Sequence, residues 1–275
     1  MTRPLYVSSG AFIGRKNNVS PDGFLSFCRD FECDGFEFMN YRAWYPELDS
    51  ILARFLAAGV SFPTFHCDKT IGEGFSSGDP DEYRRACDLF RVNCRAAAGL
   101  GSRLLVFHLW NGLPSDKNFG RHLDALSDLY AIAAEYDLFL TVENVICAVS
   151  DPLSRLDEIA ARYPAARFTF DTKMAAFHDR MGEIVSPARR ALAEKIAHVH
   201  LNDYAGTPGD FSDLRVLHLG EGKIDFAPFL SLLDEINYSG AITLECSCFN
   251  PDGTLCPEKM KQSIVTARAM TAAGD

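Results

Sequence analysis

The 275 residues carry 37 acidic and 27 basic side chains, a formal net charge of −10, which argues against a nucleic-acid binder that needs a basic face. With 47% hydrophobic and 23% charged residues, the composition is that of a soluble globular protein rather than a disordered one. No stretch approaches the roughly 18–20 apolar residues of a membrane span, no secretory leader is read in the first ten residues, and nine cysteines without zinc-ribbon spacing suit reduced thiols in the cytoplasm.

Short apolar runs alternate with longer amphipathic ones. Residues 5–8 read as a first strand, and 21–29 as a helix capped by Ser20 with Pro21 at its first position. A strand at 35–39 precedes a helix over 46–58 that Gly59 ends, and a third strand covers 61–66. A Gly-rich loop at 72–78 leads to a helix from Pro80 to about Leu100, then a strand at 104–108 and a helix at 118–136 with Leu123, Leu126, Tyr130 and Ala134 on one face. The fifth strand runs over 138–143, and Asp151-Pro152 opens a helix reaching Tyr163. A strand at 167–171 is followed by a less regular stretch and a helix at 187–195. The seventh strand, 196–200, enters a polar loop over 202–222, then a helix at 225–236. The last strand is 241–245, and a helix over 257–272 closes the chain. Eight strands each trailed by a helix require crossover connections, hence parallel pairing. No Gly-x-Gly-x-x-Gly follows the first strand, so the pattern predicts an α/β fold, a single (β/α)8 TIM barrel over 1–275, rather than a doubly wound sheet.

Four of these strands end on polar groups: Glu143, Asp171, His200 and Glu245. Such groups are costly at the ends of buried strands unless something pairs with them. In a parallel barrel they converge on the C-terminal rim, where barrel enzymes keep their active sites. Three carboxylates and one imidazole are a ligand set for a divalent metal. His66 and His108 end the third and fourth strands in matching register, which assigns them to the same pocket. His198 is read as pointing away from His200 and packing behind the barrel. Cys246-Ser247-Cys248 is read as small residues after a strand rather than a redox pair, for no second cysteine pair of that spacing accompanies it.

The stretches Thr141-Val142-Glu143-Asn144, Phe170-Asp171-Thr172, His198-Val199-His200-Leu201-Asn202-Asp203, Leu219-Gly220-Glu221-Gly222-Lys223-Ile224-Asp225-Phe226 and Thr243-Leu244-Glu245 carry a resemblance over essentially the whole chain. It resembles the xylose-isomerase-like superfamily of sugar-phosphate isomerases and epimerases, a group that includes inosose isomerase, hydroxypyruvate isomerase and the ketose 3-epimerases. Inosose isomerase is the member it most resembles in length and in the loop after the seventh strand. The resemblance implies one divalent ion (Mn2+, Mg2+, Co2+ or Zn2+) on Glu143, Asp171, His200 and Glu245. It also implies an isomerase or epimerase of a small polyhydroxy carbonyl compound, a sugar or polyol, with Glu143 and Glu245 moving a proton through an enediolate. Arg215 sits where relatives hold a substrate oxygen; a surface arginine is the other reading.

The sequence departs from the family where relatives place a substrate-binding histidine, three residues after the strand-six aspartate. That position is Met174, and His178 either takes the role or is an exposed loop histidine. The trinuclear apurinic endonucleases of the superfamily also need a histidine there, and an Asp/His pair that the loop Asp213-Leu214-Arg215-Val216-Leu217-His218 does not reproduce. Two alternatives therefore stand beside the isomerase: an inosose-type dehydratase, and a noncatalytic sugar-binding subunit that retained the metal. Barrel relatives often dimerise, yet no helix face here marks an interface. Gly220-Glu221-Gly222 is read as a tight turn rather than a phosphate cradle. Trp44, Phe12, Phe75 and Trp110 are core residues or walls of the sugar pocket.

Overall fold

The structure is a computed structural model that describes residues 3–112 and 114–272. Eight strands, β1 (Leu5–Ser8), β2 (Gly35–Met39), β3 (Thr64–His66), β4 (Leu104–Phe107), β5 (Phe139–Glu143), β6 (Arg167–Asp171), β7 (Ile196–His200) and β8 (Ile242–Leu244), close a barrel in sequence order. The α-helices are α1 (Asp22–Leu25), α2 (Leu48–Ala57), α3 (Pro80–Leu100), α4 (Phe119–Glu135), α5 (Pro152–Arg162), α6 (Thr172–Phe177), α7 (Met181–Ile184), α8 (Arg190–Ala193), α9 (Ala227–Glu235) and α10 (Pro257–Ala272). No helix among the described residues is long and apolar enough to cross a membrane. Contacts gather the chain into two compact units, residues 37–167 and residues 1–36 with 168–275.

In the 37–167 unit, parallel register aligns Phe38 with Phe65, and Leu105 with both Phe65 and Leu140. Phe38 stacks on Phe65 at 5.0 Å and meets Phe55 edge-on at 4.8 Å, while Phe90 meets Phe107 at 5.1 Å. Each of these rings is fully buried, a contribution of about 1.5–3 kcal/mol apiece, with roughly 0.5–1.5 kcal/mol more per ring pair. Asp79 caps α3 by accepting the Asp81 N–H, Pro80 occupies the first turn, and Gly101 at φ +79° ends it. Asp151 and Pro152 begin α5 in the same manner.

In the other unit, Val199 aligns with Ile242, and Ile242 with Leu5. Strands β6 and β7 slip register between Phe168 and Thr169, after which Asp171 lies opposite His200. That slip brings two strand-end groups level.

Several expected elements are shorter. The helix expected at 21–29 is the single turn α1 and a 3-10 turn at Cys28–Asp30, because Phe24, Phe27 and Phe31 all turn onto Phe12, with centroids 6.3, 6.4 and 5.1 Å away. Strand β3 starts only at Thr64, after Pro63, which has no N–H to give. The 187–195 helix is a 3-10 turn followed by the one-turn α8.

Candidate metal and substrate site

Within the 37–167 unit, three strand-end groups meet. His66 is the last residue of β3, His108 follows β4 directly, and Glu143 ends β5; all are buried. His66 Nε2 lies 3.1 Å and His108 Nε2 2.7 Å from the same oxygen, Glu143 Oε2. Their other ring nitrogens are committed. His66 Nδ1 sits 2.8 Å from the Cys67 carbonyl, which only accepts, so Nδ1 carries the proton. Asn111 donates its amide to Glu73 Oε1 at 2.8 Å, turning its own Oδ1 toward His108 Nδ1 at 3.4 Å. Burial pushes the His108 pKa down to about 4 against the opposing pull of Glu143, so the ring is neutral at pH 7. A neutral ring with its proton on Nδ1 points a lone pair from Nε2 at the carboxylate. Such a contact is stable with a proton or a cation between the atoms. Gly72 lets the following loop press on the His108 backbone, where a Cβ would overlap the carbonyl oxygen.

Within the other unit, Asp171, His200 and Glu245 each offer a ligand atom within 4.8 Å of the others. Asp171 closes β6 and caps α6: its Oδ1 accepts the Met174 N–H at 2.8 Å. His200 ends β7, and its Nδ1 is 3.1 Å from Glu245 Oε2. Glu245 stands one residue beyond β8, where its N–H leaves the sheet and donates to Asn202 Oδ1 at 3.2 Å. Two carboxylates at such separation repel by roughly 3 kcal/mol at an effective dielectric constant of about 20. A divalent ion offsets that repulsion, and carboxylate and imidazole donors fit the hard or borderline ions.

His178 is half-buried at the end of α6, edge-on to Phe177 at 5.1 Å. Arg215 has a 70% exposed side chain and pairs with Asp213 at 3.4 Å. Trp44, Phe12, Phe75 and Trp110 are all buried. All nine cysteines are free thiols. His198 does not point away from His200: residues two apart on a strand share a face, and the rings lie 5.2 Å apart, with His198 Nε2 3.0 Å from Thr243 Oγ1.

Asn202 and Asp203 were not singled out as individual residues by the sequence. Buried Asp203 accepts the N–H groups of Tyr204, Gly220, Gly222 and Ile224 at 2.8, 3.0, 2.9 and 3.2 Å. Gly220-Glu221-Gly222 is thus a turn whose N–H groups already hold a carboxylate, and a Cβ on Gly222 would overlap it. The signal available in sequence was a polar pair one residue beyond a buried strand, after Leu201.

A sequence model described as xylose isomerase-like TIM barrel matches residues 25–266. Among solved structures, the chain is similar to D-psicose 3-epimerase with D-tagatose from Clostridium cellulolyticum H10, at a TM-score of 0.72 and 12% identity over 98% of each chain. It is similar to L-ribulose 3-epimerase at a TM-score of 0.70 and 17% identity, over 99% of this chain and 96% of that one. The IOLI protein with a bound zinc atom gives 0.72 and 17% over 98% of each. No curated protein sequence matches the chain.

Proposed function

The chain belongs to the xylose isomerase-like TIM-barrel family, and we propose that it is a divalent-metal-dependent isomerase or epimerase of a small polyhydroxy carbonyl compound, a ketose, inosose or related sugar. The observation that carries this reading is the clustering of Asp171, His200 and Glu245 at the ends of β6, β7 and β8, a donor set with more negative charge than its single imidazole balances. Glu143 at the end of β5 is proposed as the fourth ligand. Similar structures named as sugar 3-epimerases, and one with zinc, support the assignment. The domain is read as the whole of 1–275, and the free thiols support a reducing, cytoplasmic setting.

When bound, the ion supplies Lewis acidity toward a carbonyl and hydroxyl of the substrate, making the neighbouring C–H more acidic. The chain's own groups do the rest. Glu245, with a side chain 10% exposed, is the carboxylate open to a substrate carbon. It removes the proton, and the substrate passes through an enediolate. Glu143, protonated at the start of the cycle, delivers that proton at the neighbouring carbon or the opposite face, and the proton left on Glu245 exchanges with solvent to reset the pair. His66 and His108, whose Nε2 atoms meet Glu143 Oε2 here, are the proposed substrate-binding groups, each Nε2 redirecting to accept from a substrate hydroxyl, with Arg215 and His178 as further substrate contacts from the loops.

Turnover of a panel of inososes, ketoses and hydroxypyruvate with added Mn2+ in deuterated water tests the reading. The expected result is product carrying solvent deuterium at the α-carbon once the reaction reaches equilibrium. Isomerisation without deuterium points to a hydride shift, and heat of binding without product to a binding subunit.

A further inference from the structure

Asn202 is buried completely, two residues beyond His200, and its side-chain amide touches both carboxylates of its own half. Its Nδ2 donates to Asp171 Oδ2 at 2.9 Å and, more weakly, to Glu245 Oε2 at 3.5 Å. The Glu245 backbone N–H donates to its Oδ1 at 3.2 Å, which fixes the orientation of the amide: the oxygen meets an N–H and the nitrogen meets two acceptors. The Asn202 backbone is pinned as firmly. Its N–H donates to Thr172 Oγ1 at 2.9 Å, and that hydroxyl donates back to the Asn202 carbonyl at 2.7 Å. One neutral side chain therefore ties the carboxylate ending β6 to the carboxylate following β8, from a loop that β7 begins.

We infer that Asn202 is a positioning residue for the metal ligands, holding Asp171 and Glu245 at a set separation and facing the same way. This inference rests on the metal reading proposed above. The choice of an amide follows from the chemistry. A third carboxylate would add repulsion and compete for the ion, whereas a lysine would neutralise the ligands and weaken cation binding. An amide donates without carrying charge, so it orders both anions and leaves their charge for the metal. The Asp171 oxygen it holds is Oδ2, while Oδ1 caps α6, so the carboxylate has no rotational freedom left. Groups that orient ligands in this way are typically worth 10–100-fold in metal affinity.

The test uses the full chain stripped of metal by a chelator and titrated with Co2+, followed by calorimetry and by the visible absorption of the bound ion. Melting of the metal-free protein is recorded alongside. Asn202→Ala is expected to weaken Co2+ binding by roughly 10–100-fold and to change the visible band, which reports ligand geometry. Thr172→Val, which removes the hydroxyl that pins the Asn202 N–H and carbonyl and also reaches the His200 carbonyl at 3.3 Å, is expected to weaken binding in the same direction by a smaller factor. A folded Asn202→Ala protein with lowered metal-free melting but unchanged Co2+ affinity and band would reduce Asn202 to a structural role and overturn the inference. If Asn202→Ala does not fold, Thr172→Val decides, and unchanged affinity there overturns it equally. Wild-type protein that takes up no Co2+ overturns the metal reading itself, a result distinct from a loss confined to the variants.

Discussion

The two halves of the barrel solve the problem of buried charge at strand ends differently. Residues 37–167 bring one carboxylate, Glu143, between the Nε2 atoms of two imidazoles. The other half brings two carboxylates, Asp171 and Glu245, to one imidazole and one amide, and no arrangement of a single proton neutralises both. Desolvated charge is tolerated only where something compensates it. The first half therefore sets two imidazoles against one carboxylate, whereas the second sets two carboxylates against one imidazole, an imbalance that the proposed cation would offset.

Substitutions that separate the halves sharpen this contrast. The largest effect is expected from Glu245→Gln, which at saturating Mn2+ should lower turnover on the order of 10³-fold and abolish solvent deuterium uptake. Saturation matters because Glu245 is assigned both as ligand and as base. Asp171→Asn comes next. Asparagine caps a helix about as well as aspartate but cannot also accept from Asn202 Nδ2, so a fall in bound metal and in metal-dependent melting temperature reports the lost charge together with that lost contact rather than the lost cap. Elemental content and thermal shift with Mn2+, Co2+ or Zn2+ check it, and an unchanged metal load contradicts the division of labour drawn here. His66→Ala and His108→Ala should cut turnover roughly 10–100-fold while metal stoichiometry stays near wild type. Loss of all metal in those variants would move both histidines into the ligand set.

Two smaller effects belong to the scaffold of the 37–167 half. Asp116 is buried and accepts the N–H groups of Ala148, Val149 and Ser150 while pairing with Arg155 at 2.8 Å, bracing the loop that follows β5. Burial alone would raise its pKa, but these N–H groups and Arg155 outweigh it and hold the carboxyl below its usual range. Asp116→Ala should cost about 3 kcal/mol in urea unfolding. His122 on α4 is fully buried, and burial pushes its pKa down to about 4. The unfolded chain takes up that proton near pH 6.5, so the stability tied to the neutral ring is complete above that pH. It falls progressively as pH drops toward 4. His122→Leu should flatten this limb of the stability profile by about 1–3 kcal/mol, measured by unfolding at pH 7 and pH 4.5.

Much of this was legible in sequence because the signals are local. Asp79-Pro80 and Asp151-Pro152 announce helix starts through one or two hydrogen bonds within the first turn, and α3 and α5 begin where the residues say. The strand-end groups were legible because a carboxylate interrupts an apolar run. The breaking of the 21–29 helix was not, since it depends on Phe12, a residue outside that segment. Asn202 was equally hidden: its partners lie 31 and 43 residues away, and an asparagine in a loop is ordinarily unremarkable. His198 was misplaced by a miscount of strand alternation rather than by missing information.

The Asp203 anchor has a consequence for how the loop after β7 can change. Asp203 and Leu217 exchange both backbone hydrogen bonds at 3.1 Å, the Asp203 carboxylate gathers four more N–H groups, and Lys223 N–H donates to the Tyr204 carbonyl at 2.8 Å. The segment is closed at its neck by bonds that do not depend on its length, and residues 205–216 touch α6 through the Gly209 N–H on the Phe177 carbonyl at 2.8 Å and Phe211 edge-on to Phe177 at 5.0 Å. Lengthening a loop whose ends are already tied adds only about 0.6 kcal/mol per doubling. Insertions, deletions or wholesale exchange in that stretch can therefore accumulate by drift while the strands beneath stay in register. A lineage can revise what its pocket admits without renegotiating its fold.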